Sequence, residues 1–395
     1  RDRSPSRGLG DVYKRQVQDN MNQMKDLITR VEHMDGFTTY GGVVKAMNDW
    51  VAEYNTMMRG IRTQRSDDTL NLNDPNILDR TRDILKRLGS TSSIIITGMQ
   101  MLNEMLSPGF RPSKLYVFLG LTGGFKSAML LKVVIDTIIF NAKSYKTKEP
   151  GMKPVVLYIT LENSQEESFA RIYNMTVRAD DIETHSAEEV VDSMKKVEII
   201  GNPDMDCILM YKANMSIDTE DIRNIIDDLH AEGKEVVLLS LDYLKRIRPH
   251  RKARDEKEEL KNVSNELKGI AQDYFIPIVT AQQLNRSGLA TVNAAMRDNK
   301  ADLARFLGGE NVGSAYEIME NADMTIILNL ERRKTDNRLF LTCYRIKERY
   351  RPHTKLDYFN QPFVEDNDIM LYNDIFDQKP AGVISLATDM EGVDA

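Results

Sequence analysis

The chain has 395 residues, 41% hydrophobic and 29% charged, which excludes disordered, collagen-like and membrane-spanning classes; no apolar run approaches the roughly 20 residues of a spanning helix. Cys207 and Cys343 are its two cysteines; they lie far apart without metal-ligand spacing or a secretory signal ahead of them, which reads as a reducing cytoplasm. A formal net charge of −7 excludes a surface coated in positive charge to hold nucleic acid, yet leaves room for a local basic channel gripping a few phosphates.

Residues 1–16 are rich in Arg, Ser, Gly and Asp and show no apolar period. They resemble a translated sequencing adaptor, so they are set outside the fold, with the expectation that sequence upstream is missing. Residues 17–93 read as a helical segment that adapts or oligomerises. Met21, Met24, Leu27, Ile28 and Val31, then Val43, Val44, Met47, Val51, Tyr54 and Met58, recur at three and four, the helical interval. Gly36, Gly41 and Gly42 separate the two helices, and the polar stretch 63–74 links them to a short helix ending at Leu88.

Residues 94–372 change texture to short β-rich runs alternating with helical periods. Strands are expected at 115–119, 155–160, 236–241, 276–280, 324–328 and 339–344. All but the last are apolar enough to be buried on both faces, and helices lie between several of them, as a largely parallel sheet requires. The expected fold is a three-layer α/β domain. Residues 373–395 form an acidic tail, either a partner-docking segment or disordered.

The chemistry starts at Gly120-Leu121-Thr122-Gly123-Gly124-Phe125-Lys126-Ser127, which follows the first of these strands and opens a helix near Ala128. In such a loop glycines let backbone N–H groups face phosphate oxygens at a helix N-terminus. Lys126 would neutralise the β- and γ-phosphates of ATP, and Ser127 would offer a hydroxyl to Mg²⁺. The usual pattern has glycine directly before the lysine, whereas Phe125 stands there with Gly124 one step earlier. The bland alternative is a Gly-rich turn that binds nothing.

Two apolar strands end on carboxylates. Glu162 closes the run Val155 onward and reads as the general base, or alternatively as a charge at the N-terminus of the next helix. Asp242 closes the run Val236 onward and reads as the metal-site aspartate, or as an ordinary turn residue. A strand-end position puts each carboxylate where ligands of open α/β sheets bind, outside the carboxyl ends of the strands, and taken alone leaves both readings of each residue open.

From about Thr97 to Asp366 these residues resemble the DnaB-like replicative helicases, ring motors of the RecA-like class. The resemblance begins with Thr97-Gly98, Leu102-Asn103 and Gly109-Phe110 and runs through the phosphate loop. Leu161-Glu162-Asn163 stands where that family has its catalytic glutamate, and Leu241-Asp242-Tyr243-Leu244 resembles its Asp-Tyr-Leu segment. Ala281-Gln282-Gln283-Leu284-Asn285-Arg286 is similar to its Ser-Gln-Leu-Asn-Arg motif, which makes Gln283 the γ-phosphate sensor. Gly313-Ser314 followed by Glu320-Asn321-Ala322-Asp323 resembles a further family segment, with extra residues between the halves. Lys347 and Arg349, in Arg345-Ile346-Lys347-Glu348-Arg349, match the Lys-x-Arg pair that reaches a neighbouring subunit's γ-phosphate. Read without the family, Arg345, Lys347, Arg349 and Arg351 are charges on an edge strand. The resemblance implies a hexamer, 5′ to 3′ movement, primase and helicase-loader partners, and the cytoplasm of a bacterial or phage-infected cell.

For single-stranded DNA the sequence offers Arg286 and then a long loop to Gly313 carrying Arg297, Lys300 and Arg305. A second basic run, Lys245 to Arg254, is alternatively a solvated face. Few aromatics accompany either, so phosphate contact rather than base stacking is expected. Two other functions fit the same motifs. One is a RecA-like recombinase or signalling ATPase, to be separated by strand unwinding. The other is a P-loop protein that regulates a helicase without hydrolysis, for which Phe125 is the support.

Overall fold

The computed structural model describes residues 93–371 except 178–181, 249–253, 299, 301, 308–315, 334, 350–355 and 365–368, with short stretches between 22 and 82. Contacts divide the chain into two compact units, Arg1–Thr81 and Arg82–Ala395. In the first, residues 24–31 and 41–47 are helical, in keeping with the three- and four-residue apolar spacing. The expected tail 1–16, linker 63–74, Gly313-Ser314 and acidic tail 373–395 lie outside the described residues.

The second unit is built on one eight-stranded sheet. Its strands are β1 (Leu115–Gly120), β2 (Lys153–Thr160), β3 (Asp206–Tyr211), β4 (Lys234–Asp242), β5 (Ile278–Gln283), β6 (Met324–Arg332), β7 (Leu339–Glu348) and β8 (Tyr358–Pro362). They lie in the order β3-β2-β4-β5-β1-β6-β7-β8. Pairing is parallel from β3 to β6, and antiparallel for β6 with β7 and β7 with β8. Helices α1 (Gln100–Leu106), α2 (Lys126–Asn141), α3 (Gln165–Val177), α4 (Ala187–Lys196), α5 (Thr219–Ala231), α6 (Glu256–Asp273), α7 (Arg286–Arg297) and α8 (Tyr316–Asn321) complete it.

The alternation of side chains along each strand creates two cores, one on each face of the sheet. Tyr116, Phe118, Val156 and Tyr158 pack with Met129, Leu130, Val133 and Val134 of α2. Leu115, Val117, Leu157 and Ile159 pack on the other face with Ile222 and Ile226 of α5 and Leu260, Val263 and Leu267 of α6. Helices on both faces explain why β1, β2 and β4 read as near-continuous apolar runs. The result is the expected three-layer α/β domain.

Two strands escaped the sequence reading. β3 is an edge strand, half-buried from Asp206 to Met210 and exposed at Tyr211, so it lacks the fully buried apolar run that marks its neighbours. In β8 the residues that turn inward include Asn360 and Gln361, at 2% and 1% exposure; buried amides in a short strand imitate a loop. A third correction concerns residues 286–313, expected as a long loop. Its first half is α7, whose N-cap Asn285 accepts a hydrogen bond from the Gly288 N–H. Val292 and Ala295, three apart, bury one face of that helix.

Candidate active site

Four neighbouring strands, β2, β4, β5 and β1, run parallel, so the residues that follow their carboxyl ends gather at one edge of the sheet. Backbone hydrogen bonds hold these ends in step. The Leu161 N–H donates to the Asp242 carbonyl at 2.7 Å, and the Leu284 N–H donates to the Gly120 carbonyl at 3.0 Å. The resulting cavity of about 300 Å³ is lined by Thr122 to Ala128, Glu162, Asn163, Arg171, Asp242, Tyr243 and Gln283.

The loop after β1 is shaped by its glycines. A Cβ on Gly124 would stand 2.9 Å from the Leu121 carbonyl oxygen, and Gly123 has φ +73°, a left-handed turn that glycine adopts freely. Phe125 also lies in the left-handed region, at φ 65°, directly before α2. The helix begins at Lys126, two residues before the expected start at Ala128. Lys126 Nζ donates to the Leu121 carbonyl at 2.6 Å. Burial lowers the pKa of its ammonium, opposed by the carboxylates of Glu162 and Asp242.

Asp242 is 1% exposed. It accepts from the Tyr158 hydroxyl at 3.1 Å and Asn163 Nδ2 at 2.9 Å, and from the Ser127 hydroxyl. Burial pushes its carboxyl above the usual range, and these three donors pull it back. The Ser127 hydroxyl thus stands beside the Asp242 carboxylate, where a divalent cation would meet both. Among the described residues no group of three or more His, Cys, Asp or Glu is arranged to hold a metal. A divalent ion at this position would rest on the Ser127 and Asp242 oxygens together with phosphate oxygens, the habit of Mg²⁺.

Glu162 is presented by a tight turn in which Thr160 Oγ1 accepts from the N–H groups of Glu162 and Asn163, at 3.3 and 3.1 Å. Its carboxylate faces the cavity and meets the Arg246 guanidinium at 3.5 Å. Gln283 Nε2 donates to Thr122 Oγ1 at 2.7 Å, so the end of β5 touches the phosphate loop directly.

Three residues of this site were not singled out from sequence as part of it. Asn163 lay beside a recognised glutamate, and its direct bond to Asp242 is not legible from adjacency. Tyr158 sits inside an apolar strand and looks like core. Arg171 projects from the amphipathic helix α3, nine positions after Glu162, with no motif to mark it.

Lys347 and Arg349 lie elsewhere. Lys347 Nζ donates to the carbonyls of Met319 and Glu320, and Arg349 Nη2 donates to the Glu320 carbonyl at 2.8 Å. Both cations therefore share one side of the strand end, at the last turn of α8. Thr325 pairs with Lys347 and Met324 with Glu348, while Tyr116 pairs with Met324 and Gly120 with Leu328. Lys347 and Arg349 thus stand roughly 10–17 Å down the strand direction from the phosphate loop, at about 3.3 Å per residue. Arg345 is not a solvated edge charge: its side chain is only 8% exposed, pairing with Glu348 at 3.0 Å and donating to the Met105 carbonyl. Arg351 lies outside the described residues.

Of the residues assigned to DNA, Arg297 is exposed in the last turn of α7 rather than on a loop. Lys300 is exposed, 3.6 Å from Asp298 and 4.9 Å from the Phe306 ring centroid. Arg305 is exposed and lies over the Tyr358 ring at 4.1 Å. Arg286 begins α7; its side chain lies outside the described residues. In the second basic run every described arginine and lysine meets a carboxylate: Lys245 with Glu256, Arg246 with Glu162, Arg248 with Asp218 and Arg254 with Glu258. The described part of that stretch is a paired surface rather than an open phosphate track.

A parallel sheet with a phosphate loop after β1, and acidic strand ends beside it, defines an α/β protein of the RecA-like P-loop class. Residues 40–392 match the family described as Divergent DnaB-like ATPase, and the chain belongs to that family. It is 26% identical over 225 residues to the replicative DNA helicase DnaB of Buchnera aphidicola subsp. Baizongia pistaciae (strain Bp), covering 54% of this chain and 45% of that protein. It is 22% identical over 260 residues to the replicative DNA helicase DnaB of Haemophilus influenzae (strain ATCC 51907 / DSM 11121 / KW20 / Rd), covering 60% of this chain and 52% of that protein. The matched regions thus span about half the length of these relatives. The fold is similar to a solved ATPase domain, with TM-score 0.56, 14% identity, 76% of this chain and 99% of that chain covered. It is also similar to a DnaB-like replicative helicase solved in a study of its interactions with primase, with TM-score 0.56, 13% identity and coverage of 90% and 76%. Among the described residues no helix is long and apolar enough to cross a membrane.

Proposed function

We propose that the protein is an ATP-dependent replicative DNA helicase that moves along single-stranded DNA as a ring oligomer, by family resemblance a hexamer travelling 5′ to 3′. The observation that carries this reading is the division of labour across the sheet. Loop, metal-type carboxylate, base and Gln283 converge at one edge, while Lys347 and Arg349 stand well down the sheet from them. Cations so placed are badly sited for the phosphates of their own subunit and suited to those of a neighbour.

In the proposed site the backbone N–H groups of Gly120, Thr122, Gly123, Gly124 and Phe125 cradle the ATP phosphates and Lys126 neutralises them. Ser127 and Asp242 hold Mg²⁺, which supplies charge neutralisation on the phosphate oxygens when bound. The missing room for a Cβ at Gly124 and the hard oxygen donors of Ser127 and Asp242 fit that group. Glu162, once free of Arg246, orients the attacking water and takes its proton. Gln283 relays the state of the phosphates through Thr122 to β5 and on to α7, which follows it directly. Lys347 and Arg349 complete the neutralisation from the adjacent subunit. A primase and a helicase loader are the proposed partners, and the cytoplasm of a bacterial or phage-infected cell the proposed setting.

The test is ATP hydrolysis by the purified protein with and without single-stranded DNA, beside a sizing measurement. Stimulation by DNA in a ring-sized species is expected. A well-folded protein that binds ATP without hydrolysing it would instead favour the non-hydrolysing regulator.

On the DNA side, Arg297→Glu with Lys300→Glu is expected to weaken binding of single-stranded DNA while basal hydrolysis persists. Each lost phosphate contact lowers the slope of log K against log salt by about 0.7. Fluorescence anisotropy across a salt series reads this directly. Identical affinity and slope in the double variant would remove α7 and its following turn from the contact.

A further inference from the structure

The position directly before Lys126 is occupied by Phe125 with φ 65° and ψ 13°. A left-handed backbone carries no steric cost for glycine, but for an L residue with a Cβ it costs an amount comparable to a tenfold shift in an equilibrium. Something else must hold Phe125 there. Its ring meets the ring of Phe363 edge to face, with centroids 5.1 Å apart and planes at 88°, the geometry that the aromatic quadrupole favours. The same ring packs against the core that contains Phe363 and Leu371.

Phe363 is itself firmly held. It follows β8 directly and is 2% exposed. Its N–H donates to the Leu339 carbonyl at 3.3 Å, and its own carbonyl accepts from Arg338 Nη2 at 3.3 Å. It bridges to Leu371, and the adjacent Val364 N–H donates to the Met370 carbonyl at 2.8 Å. The anchor is therefore tied to the start of β7 and to the chain beyond β8.

We infer that Phe125 is a positioning residue that sets the phosphate loop through its contact with Phe363, so that aromatic packing replaces the conformational freedom of glycine at this position. The inference rests on the nucleotide-site reading given above. It makes nucleotide affinity depend on a side chain, Phe363, that lines no part of the cavity. It also ties the loop to the hairpin whose far end carries Lys347 and Arg349.

A double-mutant cycle tests it, using equilibrium binding of mant-ATP with Mg²⁺ and steady-state hydrolysis on the full chain. F363A is expected to weaken mant-ATP binding about five- to tenfold, the upper range for an aromatic pair. The same loss should appear in KM, with kcat at saturating ATP changed less than twofold. F125G removes the need for the anchor, so F125G/F363A is expected to bind as F125G does. F363Y, which keeps the ring, should retain most of the affinity. F363L keeps buried volume without the ring and carries the same cycle if F363A fails to fold. Equal loss on changing Phe363 in both backgrounds, or no loss in either, would overturn the inference while leaving the nucleotide reading intact. Failure of the unmutated chain to bind mant-ATP would overturn both.

Discussion

Glu162→Gln is expected to lower ATP turnover by about 10²- to 10⁴-fold, the usual contribution of a positioned base, while nucleotide binding stays close to that of the unmutated chain. The substitution is nearly isosteric, and the turn that presents residue 162 is built by Thr160 Oγ1 and backbone N–H groups, which glutamine leaves in place. What disappears is the carboxylate that takes the proton from water, along with the ion pair to Arg246. That pair is about 42% exposed on the glutamate side and 34% on the arginine side, so its loss has little effect on stability. Steady-state hydrolysis and mant-ATP titration, run together, separate the two effects. Turnover within threefold of the unmutated chain would show that Glu162 is only a helix-end charge, the alternative its sequence position also allows.

The second large effect is expected at Lys347 and Arg349. Arg349→Ala should reduce hydrolysis by about 10³-fold or more, as removal of a trans-acting cation does in other phosphoryl-transfer sites, and Lys347→Ala should act in the same direction. Within one subunit these cations rest on the carbonyls of Met319 and Glu320, which are neutral partners that a phosphate can readily replace. Burial and the adjacent Arg349 lower the pKa of Lys347, a state that a dianionic phosphate would reverse. The decisive measurement is a mixing experiment. Arg349→Ala subunits keep Glu162, and Glu162→Gln subunits keep both cations, so a mixed ring contains interfaces with a complete site. Recovery of hydrolysis on mixing two inactive proteins is expected. No recovery, despite demonstrated subunit exchange, would place the cations outside the reaction.

The candidate nucleotide edge of the molecule is legible in the sequence because its signals are local. A loop of glycines between an apolar strand and a helix, and carboxylates at the ends of apolar strands, are patterns of adjacent residues. Their convergence also followed from reading the sheet as parallel, since parallel strands place all their carboxyl ends together. Legibility was lost wherever a role depends on a partner distant in sequence. Tyr158 and Asn163 serve Asp242 across roughly 80 positions, and a tyrosine inside an apolar strand looks like core from sequence. Within the stretch expected as a long loop, Arg286–Arg297 hides its helix for a related reason. Val292 and Ala295 give α7 only a narrow buried face, too short beside Gly, Asn and Arg to register as a period.

Phe125 marks the boundary between the two kinds of information. The three-layer α/β class, the Gly-rich loop after β1 and the two acidic strand ends are readable without the structure, because hydrophobic periodicity and the steric demands of glycine are written in neighbouring residues. The sequence also shows that Phe125 departs from the expected glycine, which alone reads as damage to the loop. Only the tertiary structure decided what stands beside that ring, setting Phe363 against it at 5.1 Å, and only the register of β6 with β1 and β7 set Lys347 and Arg349 well down the sheet from the loop. Contacts between residues more than 200 positions apart are created by chain folding, and no local pattern encodes them.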